Sequence, residues 1–93
     1  MRRMMETPRL FVDDKIELCD GHSDYGYSIL YCEQDGHQVE VYRTRYETNR
    51  WNEQTEGIRS FNLEQAGHEW IVTLELVGGD KKKLHSDDGK HWR

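Results

Sequence analysis

A two-residue turn signal, Asp35-Gly36, constrains this chain more than any other feature, because it lies between two segments rich in β-branched and aromatic residues. A type I′ turn needs positive φ at both central positions, which the Asp-Gly pair tolerates well. The signal predicts an antiparallel hairpin that pairs residues 25–32 with residues 39–46. In this register Tyr25 lies opposite Tyr46.

The predicted hairpin has two faces of different chemistry. One face carries all five tyrosines of the chain: Tyr25, Tyr27, Tyr31, Tyr42 and Tyr46. The other face is aliphatic: Leu30, Cys32, Val39 and Val41. Two interpretations remain open, because a sheet with two apolar sides must bury both or use one for binding. Either the tyrosines pack as core, or the aliphatic face is core and the tyrosines form an exposed docking patch or dimer interface.

The other segments favour strands and turns over helices. Residues 1–9 are expected to form a flexible arm. Strands are predicted at 10–12 and 15–19, either separated by a turn at Asp13-Asp14 or joined as one kinked strand, and at 58–63 and 70–77, with further turns at Ala66-Gly67 and Asp87-Asp88. Residues 47–57 suit either a loop or about two turns of helix.

A second hairpin is predicted around the loop Gly78-Gly79-Asp80. This loop would set Leu74 opposite Leu84 and Glu75 opposite Lys83, which pairs apolar with apolar and charge with counter-charge. Lys81-Lys82-Lys83 would then form a lysine-bearing edge strand, a common device against edge-to-edge aggregation. Contact with phosphates is the alternative role for these lysines.

The regular return of short strands predicts a mainly β fold: a small antiparallel sheet or open barrel of about five to six strands built from two hairpins. Residues 10–93 are expected to form one domain. The low hydrophobic fraction, 34%, indicates a thin core.

Charge and composition narrow the function classes. The formal net charge of −5 disfavours a general nucleic-acid binder, whose affinity comes mainly from neutralising phosphates. No secretory signal and no membrane-length apolar segment are apparent, so a cytoplasmic location is expected.

Catalytic, metal and cofactor sites are not predicted. The five histidines form no close pair of the kind that begins a zinc site. Cys19 and Cys32 are expected to be reduced thiols, and neither lies in a signature with a base and its orienting group. Gly78-Gly79 lacks the spacing of a phosphate-binding loop. We therefore expect a protein that is not an enzyme.

One local resemblance occurs near the C-terminus. The segment Ser86-Asp87-Asp88-Gly89-Lys90-His91-Trp92 resembles the Asp-box turn of sialidase-type propellers, shortened by one residue and present once. Asp boxes are structural turns, so the resemblance implies a turn and no activity.

Tyrosine, tryptophan and arginine are typical anchors of protein interfaces. The candidate partner-binding residues are Tyr25, Tyr27, Tyr42, Arg43, Arg45, Tyr46, Arg50 and Trp51. The alternative is a solvated strand end on which Trp51 covers the core.

These observations favour a non-enzymatic protein-binding module that occludes a larger complex, with a basic surface as one expected feature of its partner. By profile it is similar to anti-CRISPR proteins: a small inhibitor or accessory protein of a phage, mobile element or bacterium. Homodimerisation is a further option. The alternative is a small nucleic-acid-binding barrel that uses tyrosine stacking and contacts from arginine and lysine to phosphates.

Overall fold

A computed structural model describes residues 6–93, which form seven strands and no helix. The strands are β1 (Arg9–Cys19), β2 (Asp24–Gln34), β3 (His37–Thr48), β4 (Gln54–Glu56), β5 (Ile58–Ala66), β6 (Glu69–Leu76) and β7 (Lys81–Ser86). Residues 1–5 of the predicted arm lie outside the described residues, and Arg9, its last predicted residue, already belongs to β1.

The strands form two antiparallel sheets. Sheet A has the order β1-β2-β3-β4, and sheet B has the order β5-β6-β7. All pairings join neighbours in the sequence, which is the simplest outcome of consecutive hairpins. The prediction of a small, mainly β domain is confirmed.

The central hairpin turns where the sequence predicts. Asp35 and Gly36 have φ of 51° and 80°, as a type I′ turn requires. The predicted pairing holds next to the turn, where Tyr31 lies opposite Glu40. Beyond that pair the register changes, because Val41 is an extra residue on β3 and Tyr42 lies opposite Leu30.

This β-bulge makes the prediction of a single tyrosine face wrong. Side chains alternate along a strand, so a one-residue shift moves every later residue of β3 to the opposite face. Tyr42 and Tyr46 share a face with Leu30 and Gly26, their partners on β2. The other three tyrosines, Tyr25, Tyr27 and Tyr31, point to the other face.

Leu30 and Cys32 of the predicted aliphatic face are buried and Val41 packs against the core, whereas Val39 is 39% exposed. A cluster of buried side chains joins Leu30 of sheet A to Ile58, Val72 and Leu74 of sheet B. Partly buried apolar side chains from both sheets surround it: Leu10, Val12, Val41, Tyr42, Phe61, Leu63, Leu76, Leu84 and Trp92. We call the face of sheet A that meets sheet B the inner face, and the opposite one the outer face.

β1 is one continuous strand that contains Asp13-Asp14, so the prediction of a single strand is confirmed and the turn at these aspartates is wrong. The strand has a bulge at Glu17, between the pairs Ile16–Gly26 and Leu18–Tyr25. The Asp14 carboxylate lies on the inner face and accepts a hydrogen bond of 2.6 Å from the Ser28 hydroxyl. The hydrogen bond with Ser28 therefore gives Asp14 a structural role within the sheet.

The segment 47–57 is not helical. β3 continues to Thr48, a tight turn spans residues 49–53, and the short strand β4 returns along the end of β3. Gly57 has φ of 138°, a backbone conformation that favours glycine, and it leads directly into β5.

The β6–β7 hairpin also differs from its predicted register. The three-residue loop is Val77-Gly78-Gly79, closed by a 2.8 Å hydrogen bond from the Leu76 amide to the Asp80 carbonyl. Leu74 therefore lies opposite Lys82, and Glu75 lies opposite Lys81. The shift is by two residues, so β7 keeps its predicted faces, and its lysines do lie on an edge strand of sheet B.

The Asp88 side chain organises the C-terminal turn. Its Oδ1 accepts hydrogen bonds from the amides of Lys90 and His91, at 2.8 and 2.9 Å, and from the Ser86 hydroxyl at 3.1 Å. The turn predicted at this segment is confirmed. Trp92 then packs against the core.

The molecule is elongated, with principal extents of 58 × 28 × 16 Å. Its radius of gyration is 15.3 Å, whereas a compact domain of this length has about 12 Å. The reason is that β5 begins at Ile58, directly over Ser28 of β2, so the rest of sheet A extends past sheet B. No helix in residues 6–93 is long and apolar enough to cross a membrane.

Candidate functional site: the distal end of sheet A

The part of sheet A beyond Ser28 carries three of the four exposed large hydrophobic side chains of residues 6–93. We call residues 14–26 and 45–56 the distal end. The β1–β2 and β3–β4 connections meet here. The Asp24 amide, at the start of β2, donates a 2.9 Å hydrogen bond to the hydroxyl of Thr48, at the end of β3. Thr48 is buried at this junction, so the two connections form one unit.

Large apolar side chains are exposed at this end. Ile16 is 47% exposed on the inner face, Leu18 is 59% exposed on the outer face, and Trp51 is 68% exposed in the β3–β4 turn. Among the described residues, Val39 is the one other large hydrophobic residue with comparable exposure. Exposed apolar groups gathered in one region commonly mark an interaction surface.

The β3–β4 turn holds Trp51 in a defined position. The Asn49 side-chain oxygen accepts hydrogen bonds of 3.0 Å from the amides of Trp51 and Glu53. The Asn49 amide in turn donates a 2.9 Å bond to the Glu53 carbonyl. Arg50 lies 4.9 Å above the indole ring. An exposed tryptophan on a hydrogen-bonded turn loses little conformational entropy on binding, because the turn is already ordered.

The outer face has a shallow pocket of about 260 Å³ at the distal end. Its lining residues are Glu17, Leu18, Tyr25, Gly26, Tyr27 and Arg45. Its walls combine apolar and charged groups. A pocket of this size is enough for one side chain of a partner.

Next to the pocket, the outer face is covered by its own side chains. Arg43 lies 4.7 Å above the Tyr27 ring, Lys15 lies 5.5 Å above Tyr31, and Phe11 stacks on Tyr31 at 5.4 Å. Ile29, between the two tyrosines, is fully buried. This half of the outer face is thus a small secondary core, and the pocket lies at its edge.

Ion pairs fix the arginines of β3. Glu40 lies 2.8 Å from Arg43 and raises the pKa of its guanidinium. Arg45 lies 3.4 Å from Glu56 and 3.6 Å from Glu47, across the β3–β4 pairing. These pairs are exposed and contribute little to stability, but they orient Arg45 at the rim of the pocket.

The predicted binding residues therefore separate into groups. Tyr25, Tyr27, Arg43 and Arg45 lie on the outer face, and Arg50 and Trp51 lie on the adjoining turn. Tyr42 and Tyr46 lie on the inner face instead, so they do not share the predicted patch. Tyr42 packs against the core, and burial, together with the Asp14 and Asp24 carboxylates, raises the pKa of Tyr46.

The sequence interpretation missed Ile16, Glu17 and Leu18. They belong to a segment that alternates charged and apolar residues, which is the ordinary pattern of a half-buried strand. The tertiary structure leaves Ile16 exposed because sheet B ends before it reaches this part of the inner face, whereas Leu18 is exposed on the outer face, which sheet B does not cover. No local signal in the sequence shows where a second sheet stops.

Residues 6–93 contain no group of three or more histidine, cysteine or acidic side chains arranged to hold a metal ion. Cys32 is buried, and Cys19 is exposed. A hydrogen bond with Asp24 raises the pKa of the Cys19 thiol, which lowers its nucleophilicity at neutral pH.

Comparison with known proteins gives no relative: no family model, curated protein or solved structure matches the chain.

Proposed function

We propose that this chain is a non-enzymatic protein-binding module that docks through the distal end of sheet A. The observation that carries the proposal is the exposure of Leu18 at a pocket on the outer face of sheet A, together with the exposure of Trp51 in the β3–β4 turn. Burial of such side chains by a partner removes apolar surface from water, the main favourable term in protein association.

The anchors have the chemistry of interface hot spots. Tryptophan, tyrosine and arginine dominate binding energies at protein interfaces, chiefly when they lie at the centre of a packed contact. Trp51, Tyr25, Tyr27 and Arg45 supply these types around one pocket and its adjoining turn. A partner that covers these side chains would contact the end of sheet A, which has four strands.

The elongated shape supports a steric mechanism. Sheet B and the core form a body, and the distal end projects from it, so a partner cleft could receive the projection while the body blocks the entrance. This is the action of a small inhibitor or accessory protein, as in phage and mobile-element proteins that act against host defence systems. We propose the same steric action for this chain.

The nucleic-acid alternative has weaker support. Arg43 and Arg50 already cover one face of Tyr27 and of Trp51, so those ring faces are occupied. Carboxylates also outnumber basic groups at this end, and phosphates would be repelled.

Site-specific photocrosslinking in the native host tests the proposal. A photoreactive amino acid at position 18 or 51 should crosslink to one recurrent protein, and the same probe at Glu64, on the exposed side of sheet B, should not. Leu18→Asp and Trp51→Ala should abolish recovery of that protein by the tagged chain, with melting temperatures close to that of the wild type. The proposal is wrong if both variants retain the partner, or if crosslinks from position 64 dominate.

A further inference from the structure

Charge is distributed unevenly between the two ends of the molecule. The distal end carries seven carboxylates and three basic side chains, a formal charge of −4 out of −5 for the whole chain. The acidic residues are Asp14, Glu17, Asp20, Asp24, Glu47, Glu53 and Glu56. The rest of the chain is nearly neutral, so the electrostatic field of the molecule is concentrated at the surface proposed to bind.

Several of these carboxylates have no internal counter-charge. Within residues 6–93, Arg45 pairs with Glu47 and Glu56, but Glu17 and Glu53 form no ion pair. Glu17 lines the pocket beside Leu18. The pKa of Asp20 is lowered by hydrogen bonds from the amides of His22 and Ser23. Exposed apolar side chains at the distal end are therefore accompanied by carboxylates that have no internal ion pair.

The negative charge of the distal end favours one class of binding partner over the others. A second copy of the chain would bring two ends of charge −4 together, which is unfavourable at low salt. Nucleic acids and anionic membranes are repelled for the same reason. A basic protein surface is attracted, and long-range attraction also raises the association rate.

We infer that the partner presents a basic protein segment in which lysine or arginine residues flank an exposed apolar side chain. This inference rests on the proposed function. The apolar side chain enters the pocket between Leu18, Tyr25 and Tyr27. The flanking cations lie against Glu17 and the acidic β1–β2 and β3–β4 connections. Apolar burial supplies the affinity, and the carboxylates select the partner.

Three synthetic peptides test the inference. Each has a central tryptophan and leucine, flanked by lysines, by glutamines or by glutamates, and a fluorescent label for anisotropy titration. We expect the lysine peptide to bind about tenfold more tightly than the glutamine peptide and the glutamate peptide to bind least, because two or more rim charge pairs distinguish them. Binding of the lysine peptide should weaken between about 50 mM and about 500 mM salt, where screening shortens the Debye length.

Charge variants assign the effect to the distal end. Glu17→Lys with Glu53→Lys should remove the preference for the lysine peptide, and Glu64→Lys, the same change on sheet B, should preserve it. Equal binding of all three peptides overturns the inference, as does no binding by any of them up to about 1 mM. Tighter binding of single-stranded DNA than of the lysine peptide, or a Leu18-dependent dimer in sedimentation at low salt, also overturns it.

The experiments distinguish a failure of the charge inference from a failure of the proposed function. If position 18 crosslinks to a host protein but Glu17→Lys with Glu53→Lys leaves that complex intact at low salt, the docking surface is correct and the charge assignment is wrong. If crosslinks do not form at positions 18 and 51, the proposed function itself fails.

Discussion

The Ser28 hydroxyl accepts a 3.0 Å hydrogen bond from the backbone amide of Ile58, and this bond joins the two sheets. Both residues are buried. The same hydroxyl donates to the Asp14 carboxylate at 2.6 Å, so one side chain connects β1, β2 and β5. It also marks the position where the covered part of sheet A ends and the distal end begins.

Replacement of Ser28 by alanine should destabilise the fold by about 1 to 3 kcal/mol, because the Ile58 amide is then left buried without a partner. Chemical denaturation measures the change in the free energy of unfolding. Ser60→Ala, at an exposed position of β5, is the matched control and should have little effect. Equal stability of the two variants would show that the bond between the sheets contributes nothing.

The bulge at Val41 predicts unequal roles for Tyr42 and Tyr27. Tyr42 packs against the core, so Tyr42→Ala should cost about 2 to 4 kcal/mol through lost burial and a cavity. Tyr27→Ala removes its contact with Arg43 and part of the cover over Ile29, and should cost less, about 1 to 2 kcal/mol. Urea denaturation of both variants checks this order, and the reverse order would contradict the register.

Gly26 should not tolerate a side chain. A Cβ atom at this position would overlap the Lys15 carbonyl oxygen on β1, which is backbone and cannot rotate away. We expect Gly26→Ala to destabilise by at least about 2 kcal/mol, since β1 must move to relieve the overlap. Gly67→Ala is the control: its φ is 63° and its surroundings are open, so only backbone strain of about 1 to 2 kcal/mol should result. Thermal unfolding of both variants provides the comparison.

Asp88 predicts a loss of stability in acid. Hydrogen bonds from the His91 amide and ring, and then from the Lys90 amide, hold the pKa of Asp88 well below its usual range. Because folding lowers this pKa, the folded state binds fewer protons than the unfolded state. The stabilisation that the ionised Asp88 carboxylate gives to the folded state is therefore complete above about pH 4 and is lost as the pH falls further.

Denaturation at neutral pH and near pH 3 measures the effect. Asp88→Asn should be less stable than the wild type at neutral pH, and the difference between the two proteins should narrow in acid. Asp13→Asn, at an exposed position of β1 outside this turn, is the matched control. A difference that stays constant with pH would show that ionisation of Asp88 is not the cause.

Local chemistry determined the elements of this protein. The Asp35-Gly36 pair fixes its turn because positive φ at two successive residues is costly for most other sequences. Alternation along 70–77 fixes a strand with Val72 and Leu74 on its buried face. The aspartates and glycine of the C-terminal segment specify a turn through their own backbone hydrogen bonds. For the candidate site, the sequence singled out Trp51 and the tyrosines of β2 by residue type alone.

Tertiary structure decided the faces and the exposed surface. An extra residue at Val41 reverses the direction of Tyr42 and Tyr46, and a bulge leaves no mark in the pattern because valine suits either face. Exposure of Ile16 depends on where sheet B ends, near the hydrogen bond between Ser28 and Ile58 across 30 positions of sequence. Alternation specifies which residues share a side of a strand, but only packing between distant segments specifies which side meets water.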